Sequence, residues 1–356
     1  MTDISRRSAL KAFVGLTAGI GAMGLAGCSS SAASSSASAS QAAAAPSMPL
    51  PYDLAAAKRI VAEPWVTVSD VAADFLEGPV CDKEGNLILC YRFPAGQGMA
   101  SRIIKVNAKG EISTLHETEP GIMLNGLALH KDGRIFAANV MGSILTFDAE
   151  GKQLTQLAAE CNGKKLMPND MAFGANGDLY VTSFSGNALT PAGGVYRLPA
   201  ADNYTTIVPF QENMCTGNGI AFAPDFSCIW VAETALNRID RIRVNPDGTN
   251  KASFLDPCVV YQGVGIAGPD GTRTDAKGNI YQVYNPGGYV AVLNNNAIPV
   301  ACVVLSDRDK GDGLTTTSLA ISNSEATGYL LSCGSRGTVI YKFAALDKGC
   351  PGFYLS

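Results

Sequence analysis

Six oxygen-bearing side chains recur at nearly constant spacing: Glu77, Asn125, Asn169, Asn218, Asp270 and Thr317 stand 48, 44, 49, 52 and 47 residues apart. A hard divalent cation takes oxygen ligands, and Ca2+ takes about six to eight of them from carboxylates, amide carbonyls and water. Glu77 and Asp270 would balance a divalent charge, and the asparagines add donors that do not repel one another. Fewer protein donors than the ion needs leaves places for water and substrate, as a catalytic metal site requires. An Asn or Asp before Gly also makes turns by bonding its own backbone. Turn chemistry, however, gives no reason for Glu77 at the same register.

The elements that must carry these residues repeat with them. EGPVCDKEGNLILC from Glu77, NGLALHKDGRIFAAN from Asn125, NDMAFGANGDLYVTS from Asn169, NGIAFAPDFSCIWVAE from Asn218, DGTRTDAKGNIYQVY from Asp270 and TSLAISNSEATGYLLSC from Thr317 are variants of one hairpin. A short strand, a Gly or Asp turn and a second apolar strand follow each first residue. That period fits a four-stranded propeller blade. The spacing predicts an all-β, six-bladed β-propeller over residues 51–356. One strand-like segment from Trp65 to Val71 precedes the first copy, and is expected to complete the last blade and close the ring. The first position of each copy would then face a central channel.

The chain begins differently. Arg6-Arg7 before a loose apolar run that ends in Leu25-Ala26-Gly27-Cys28 resembles a twin-arginine export signal with a lipobox. Residues 1–27 are therefore expected to be a signal peptide. Residues 28–50 are expected to be a lipidated Cys28 with a Ser/Ala tether too poor in apolar groups to fold. This predicts twin-arginine export and an extracytoplasmic, lipid-anchored protein that meets the bacterial membrane through its anchor alone. A net charge of −4 gives no basic footprint, so nucleic acid is excluded as a partner. Ten cysteines without a C-x-x-C pair give no zinc or iron–sulfur signature. Cys81 and Cys90 flank one hairpin and are either a disulfide or two small buried apolar groups.

EGPV at Glu77, PND at Pro168 to Asp170, GGVYRL at Gly193, GNGIAFAPD at Gly217 and GPDG at Gly268 resemble the senescence-marker-protein, gluconolactonase and luciferin-regenerating-enzyme-like family. The resemblance spans roughly residues 65 to 343. It implies one divalent ion in the channel, Ca2+ foremost, with Mg2+, Mn2+ or Zn2+ also accepted. The implied ligands are Glu77, Asn169, Asn218 and Asp270. Asp270 is the implied base or nucleophile, Asn125 is substrate-facing, and Asp170 supports the ligands from behind. Cys81, Ser183-Phe184 and Thr317 depart from the family's usual residues.

Arg273 interrupts an inner strand whose repeat partners are Ala128, Ala172, Ala221 and Ala320. It is either half of a buried ion pair or a substrate contact. Two histidines, His116 and His130, argue against a histidine dyad, and His130 is expected to face solvent. The reading is a metal-dependent, monomeric hydrolase acting on a small-molecule lactone or related ester. The competing reading is a non-catalytic propeller that binds a ligand or partner at the cell surface.

Overall fold

The computed structural model describes residues 50–310, 315–335 and 337–355. The expected signal peptide, Cys28 and almost all of the expected tether lie outside the described residues. After a short helix, α1 (Tyr52–Ala55), comes the long strand β1 (Lys58–Ser69). Four antiparallel sheets follow. The first holds β2 (Phe75–Cys81), β3 (Leu87–Ala95), β4 (Gly98–Val106) and β5 (Ile112–Glu117). The second holds β6 (Leu124–Leu129), β7 (Ile135–Asn139), β8 (Ser143–Phe147) and β9 (Gln153–Ala158). A small hairpin, β10 (Glu160–Cys161) and β11 (Lys164–Lys165), leads into the third: β12 (Pro168–Phe173), β13 (Leu179–Ser183), β14 (Gly193–Leu198) and β15 (Val208–Met214). The fourth holds β16 (Gly217–Phe222), β17 (Cys228–Glu233), β18 (Arg238–Arg243) and β19 (Cys258–Gln262).

The remaining strands are β20 (Gly268–Thr274), β21 (Ile280–Asn285), β22 (Tyr289–Leu293), β23 (Pro299–Leu305), β24 (Thr315–Ile321), β25 (Thr327–Gly334) and β26 (Gly337–Ala344). With β1 they form one eight-stranded sheet in the order β20-β21-β22-β23-β1-β26-β25-β24. Six separate sheets are expected from the repeats; four four-stranded sheets and this eight-stranded one are found. The cause is the length of β1. Glu63–Ser69 pairs antiparallel with β26, and the preceding Lys58–Ala62 adds a parallel pairing to β23. The architecture is all-β and propeller-like.

Packing follows from the sequence pattern. A sheet covered on both faces carries near-continuous apolar runs, and Ile135–Asn139 and Tyr289–Leu293 are buried throughout. The outermost β5 and β9 are polar and mostly exposed. Apolar clusters fill the gaps between neighbouring groups of strands. Ile88, Ile103, Leu127 and Leu145 join the first two sheets, and Leu76, Leu89, Leu331 and Ile340 join the first sheet to β24–β26.

The C-terminal segment crosses the far ends of the first strands. Gly349 N–H donates to Ser322 O at 2.7 Å and Cys350 N–H to Thr274 O at 3.1 Å, while the Tyr354 hydroxyl accepts from Lys83 N–H at 3.3 Å. Phe353 lies 5.5 Å from Phe173 and 5.2 Å from His130, ring centre to ring centre. His130 is therefore buried among Phe136, Phe173, Tyr204 and Phe353 rather than solvent-facing. A distant segment covers a turn that looks open in the local sequence. Cys81 and Cys90 are both buried free thiols, with Cys81 opposite Leu87 and Cys90 opposite Glu77, so the disulfide alternative falls.

The two glycine environments of the first hairpin predict different costs. Gly85 sits at φ +83° with open space around its Cα, so Gly85→Ala should cost about 1 kcal/mol of backbone strain. Gly78 combines φ +55° with a Cβ position inside van der Waals contact of the Asn125 backbone. Gly78→Ala should cost about 3 kcal/mol or more. Urea unfolding of the two variants checks the ranking, and equal midpoints would contradict it.

Candidate functional site

The six candidate positions share a backbone device. Where each first strand pairs with its second, the register shifts: between Glu77 and Val80, Leu124 and Leu127, Pro168 and Met171, Gly217 and Ile220, Pro269 and Thr272, and Thr316 and Leu319. A bulge leaves residues unpaired and re-aims their side chains. Five of the shifts bracket a candidate, and the first begins at Glu77, which is the last residue paired before it. The next residue is Gly78, Gly126, Asp170, Gly219, Gly271 or Ser318, and at the four glycines neighbouring first strands approach through backbone. A Cβ on Gly126 would collide with Asn169 and Asp170, one on Gly219 with Asp270 and Thr272, and one on Gly271 with Ser318. Thr317 Oγ1 donates to Leu76 O at 2.8 Å, and Thr182 Oγ1 to Asn218 O at 2.6 Å.

Glu77, Asn125, Asn169, Asn218 and Asp270 are each buried, at 4 to 8% exposure. The carboxylates feel one another. Burial, then the charge of Asp270, pushes the Glu77 carboxyl up to about 8, against the pull of Arg92. Burial likewise pushes Asp270 up to about 7, although Asn285 and Asn218 hydrogen-bond to it and Arg92 opposes the shift. Asn285 Nδ2 donates to Asp270 Oδ2 at 3.0 Å. Asn218 Nδ2 also reaches Thr234 Oγ1 at 3.1 Å, and Asn125 Nδ2 reaches the Asn169 carbonyl at 3.4 Å. Thr317 spends its hydroxyl on Leu76 O, so it is tied into the backbone.

Asp170 and Arg273 form a separate knot. Arg273 Nη1 meets Asp170 Oδ2 at 2.7 Å and Nη2 meets Oδ1 at 3.4 Å. The same carboxylate accepts from Met171 N–H at 2.9 Å and Ile220 N–H at 3.3 Å. Arg273 also donates to Thr272 O and Pro79 O, at 2.7 and 3.5 Å. It is an ion-pair element here, and it lines a cavity of about 170 Å³ with Val80, Leu129, Phe222 and Tyr354 on the side of the C-terminal segment. His116 sits apart, its Nδ1 3.0 Å from Gly151 O.

Two residues at the site escaped the sequence reading. Asn285, on the second strand beside Asp270, has no repeat signal. Arg92 has one: it is a charge inside the run LILCYRF of β3. Its side chain is buried, lies against Phe75 at 4.4 Å, and makes no hydrogen bond or ion pair among the described residues.

The donor set fits a hard cation. Two buried carboxylates, with no ion-pair partner among the described residues, lie among amide groups where burial disfavours their charged forms. Among the described residues no group of three or more His, Cys, Asp or Glu side chains gathers at metal-binding spacing. A cation would therefore rest on the carboxylate pair and amide oxygens.

Residues 75–299 match the SMP-30/gluconolactonase/LRE-like region. The lactonase drp35 of Staphylococcus haemolyticus is 31% identical over 303 residues, covering 82% of this chain and 89% of that protein. The lactonase drp35 of Staphylococcus epidermidis is 33% identical over 309 residues, covering 83% and 90%. Regucalcin of Agrobacterium tumefaciens, a calcium-binding protein, superposes with a TM-score of 0.63 at 18% identity, over 82% of this chain and 97% of that one. A gluconolactonase of Xanthomonas campestris does so with a TM-score of 0.61 at 19% identity, over 78% and 88%. A family match across well over half the chain, carried by the strands that bear the bulged row, places this protein in the SMP-30/gluconolactonase/LRE-like family.

Proposed function

We propose that the chain is a metal-dependent lactonase built as a six-bladed propeller, with its metal in a central channel. The observation that carries the activity is the buried, mutually repelling pair Glu77 and Asp270 in a row of amides, together with relatives named lactonases. The eight-stranded sheet reads as two blades merged through β1, which supplies the outer strand of the last blade. The contact of Thr317 with Leu76, and the apolar cluster shared by β24–β26 and the first sheet, support a closed ring. Glu77, Asn169, Asn218 and Asp270 would hold the ion. Ca2+ suits the oxygen set best, in line with the calcium-binding regucalcin that shares the fold.

When bound, the ion supplies a Lewis acid that polarises the lactone carbonyl and steadies its developing negative charge. Asp270, fixed by Asn285, takes a proton from the attacking water. The oxygen of that water bonds to the carbonyl carbon, the ring C–O bond breaks, and the proton passes to the departing alkoxide to leave a hydroxy acid. Asn125 faces the substrate. Asp170, locked by Arg273, holds the strand that carries Asn169. Export by the twin-arginine route, a Cys28 lipid anchor and a monomeric state complete the proposal, and membrane fractionation of a Cys28→Ala variant tests the anchor.

Calcium titration and lactone hydrolysis with and without chelator test the function. Asn218→Ala should weaken Ca2+ binding. Asp270→Asn should lower turnover by about 100-fold or more. Parental turnover in a Ca2+-loaded Asp270→Asn protein would remove Asp270 from the chemistry.

The acid pair also sets a pH dependence. Both carboxyls hold protons more tightly folded than unfolded, so they stabilise the cation-free protein fully below the ordinary carboxylate range. That contribution is lost as pH rises through about 7 and about 8. Urea midpoints should therefore fall across neutral pH in chelator, stay level with Ca2+, and fall less steeply in Glu77→Gln, where Asp270 alone keeps a raised value. A midpoint that rises with pH in chelator would contradict the raised values.

A further inference from the structure

Arg92 is the one described arginine without an ion pair. Arg59, Arg102, Arg134, Arg197, Arg238, Arg241, Arg243, Arg273 and Arg308 all lie against a carboxylate. Arg92 is 7% exposed, its Nε is buried without a hydrogen-bond partner among the described residues, and the Phe75 ring lies 4.4 Å from its guanidinium carbon. A guanidinium is strongly penalised when buried alone, so an unpaired one needs a reason.

Its place supplies that reason. Arg92 stands opposite Phe75 in the β2–β3 ladder, and Cys90, two residues on, stands opposite Glu77. Residues directly opposite share a face, so Arg92 and Glu77 are diagonal neighbours on one face, with backbones roughly 7–8 Å apart. Its positive charge is felt by Glu77 from its own sheet, by Asp270 on β20 and by Cys333 on β25. Groups from three strand groups thus face the same guanidinium. Phe75 lies 4.4 Å from the guanidinium carbon, and the Nε has no hydrogen-bond partner among the described residues. A divalent ion offsets Glu77 and Asp270, and Arg273 offsets Asp170. Arg92 then leaves the site with a single unbalanced positive charge.

We propose that Arg92 anchors a carboxylate on the substrate, so that the site selects lactones carrying one free carboxylate beside the ring. A planar guanidinium edge pairs with a carboxylate through two parallel N–H donors. The Nε is already buried without a partner before a ligand arrives, so pairing with a carboxylate regains an interaction it otherwise lacks. The inference rests on the metal-dependent lactonase reading, because the ion supplies the charge balance.

The test uses the full chain loaded with Ca2+ and two ring ketones that cannot be hydrolysed, 3-oxocyclopentane-1-carboxylate and its carboxamide. Calorimetry should show the carboxylate bound about tenfold or more tighter than the carboxamide. The preference should vanish in Arg92→Gln and persist in part in Arg92→Lys. A second readout has the opposite sign and checks that the charge lies beside the ion: Arg92→Gln should bind Ca2+ more tightly, and unchanged Ca2+ affinity would overturn that placement. Equal binding of the two probes by the Ca2+-loaded parent overturns the inference, as does a preference that survives Arg92→Gln. Failure of the parent to take up Ca2+ is a separate result, and it defeats the metal reading instead.

Discussion

Neighbouring first strands approach one another backbone to backbone at four glycines, and this close approach governs the rest of the structure. Contact at that distance leaves no room for a Cβ at Gly78, Gly126, Gly219 or Gly271. The bulge that lets the strands approach also frees Asn125, Asn218 and Asp270 from the ladder, and it begins directly after Glu77. The recurring pair of an oxygen-bearing residue and a small one is therefore a single constraint with two outcomes. The small residue permits packing, and its neighbour is turned out of the sheet. A family that keeps the packing can vary the second residue among Glu, Asn, Asp and Thr without altering the fold.

The carboxylate pair shows what that freedom costs. Glu77 and Asp270 are buried without an ion-pair partner, and both are pushed toward their neutral forms by burial and by nearby carboxylates. Stability alone would favour amides at both places, as at Asn125, Asn169 and Asn218. Acids held in an unfavourable environment mark a place where charge is needed by something other than the fold. The hydrogen bond from Asn285 limits the penalty at Asp270 and holds the carboxylate in one orientation.

The sequence made the bulged row legible because the device that exposes it is local and repeats with the blade period. Features that depend on distant segments were not legible. His130 lies in a turn that looks open, but Phe353 arrives from the chain's far end and covers it. The eight-stranded sheet arises because β1 begins at Lys58, ahead of the strand read at Trp65, and its extra residues find β23. Cys81 and Cys90 flank a hairpin symmetrically, yet the register sets them opposite Leu87 and Glu77. Arg92 was visible as a charge in an apolar strand, but what defines it is the lack of a partner, and only the packed structure reveals that.

Asp170 is the instructive exception among the residues that follow the row. Where four of the others are glycine, Asp170 carries a carboxylate that accepts from Met171, Ile220 and Arg273, and so ties β12, β16 and β20 together. The space for it exists because the facing residue is Gly126, whose missing Cβ would meet Asp170 Oδ1. Three apparently separate features of the sequence, a glycine in the second repeat, an aspartate in the third and an arginine in the fifth, are thus one interaction. Since Arg273 is consumed by it, two guanidiniums close to the carboxylate row have different duties. One is neutralised to hold the strands, and Arg92 keeps its charge.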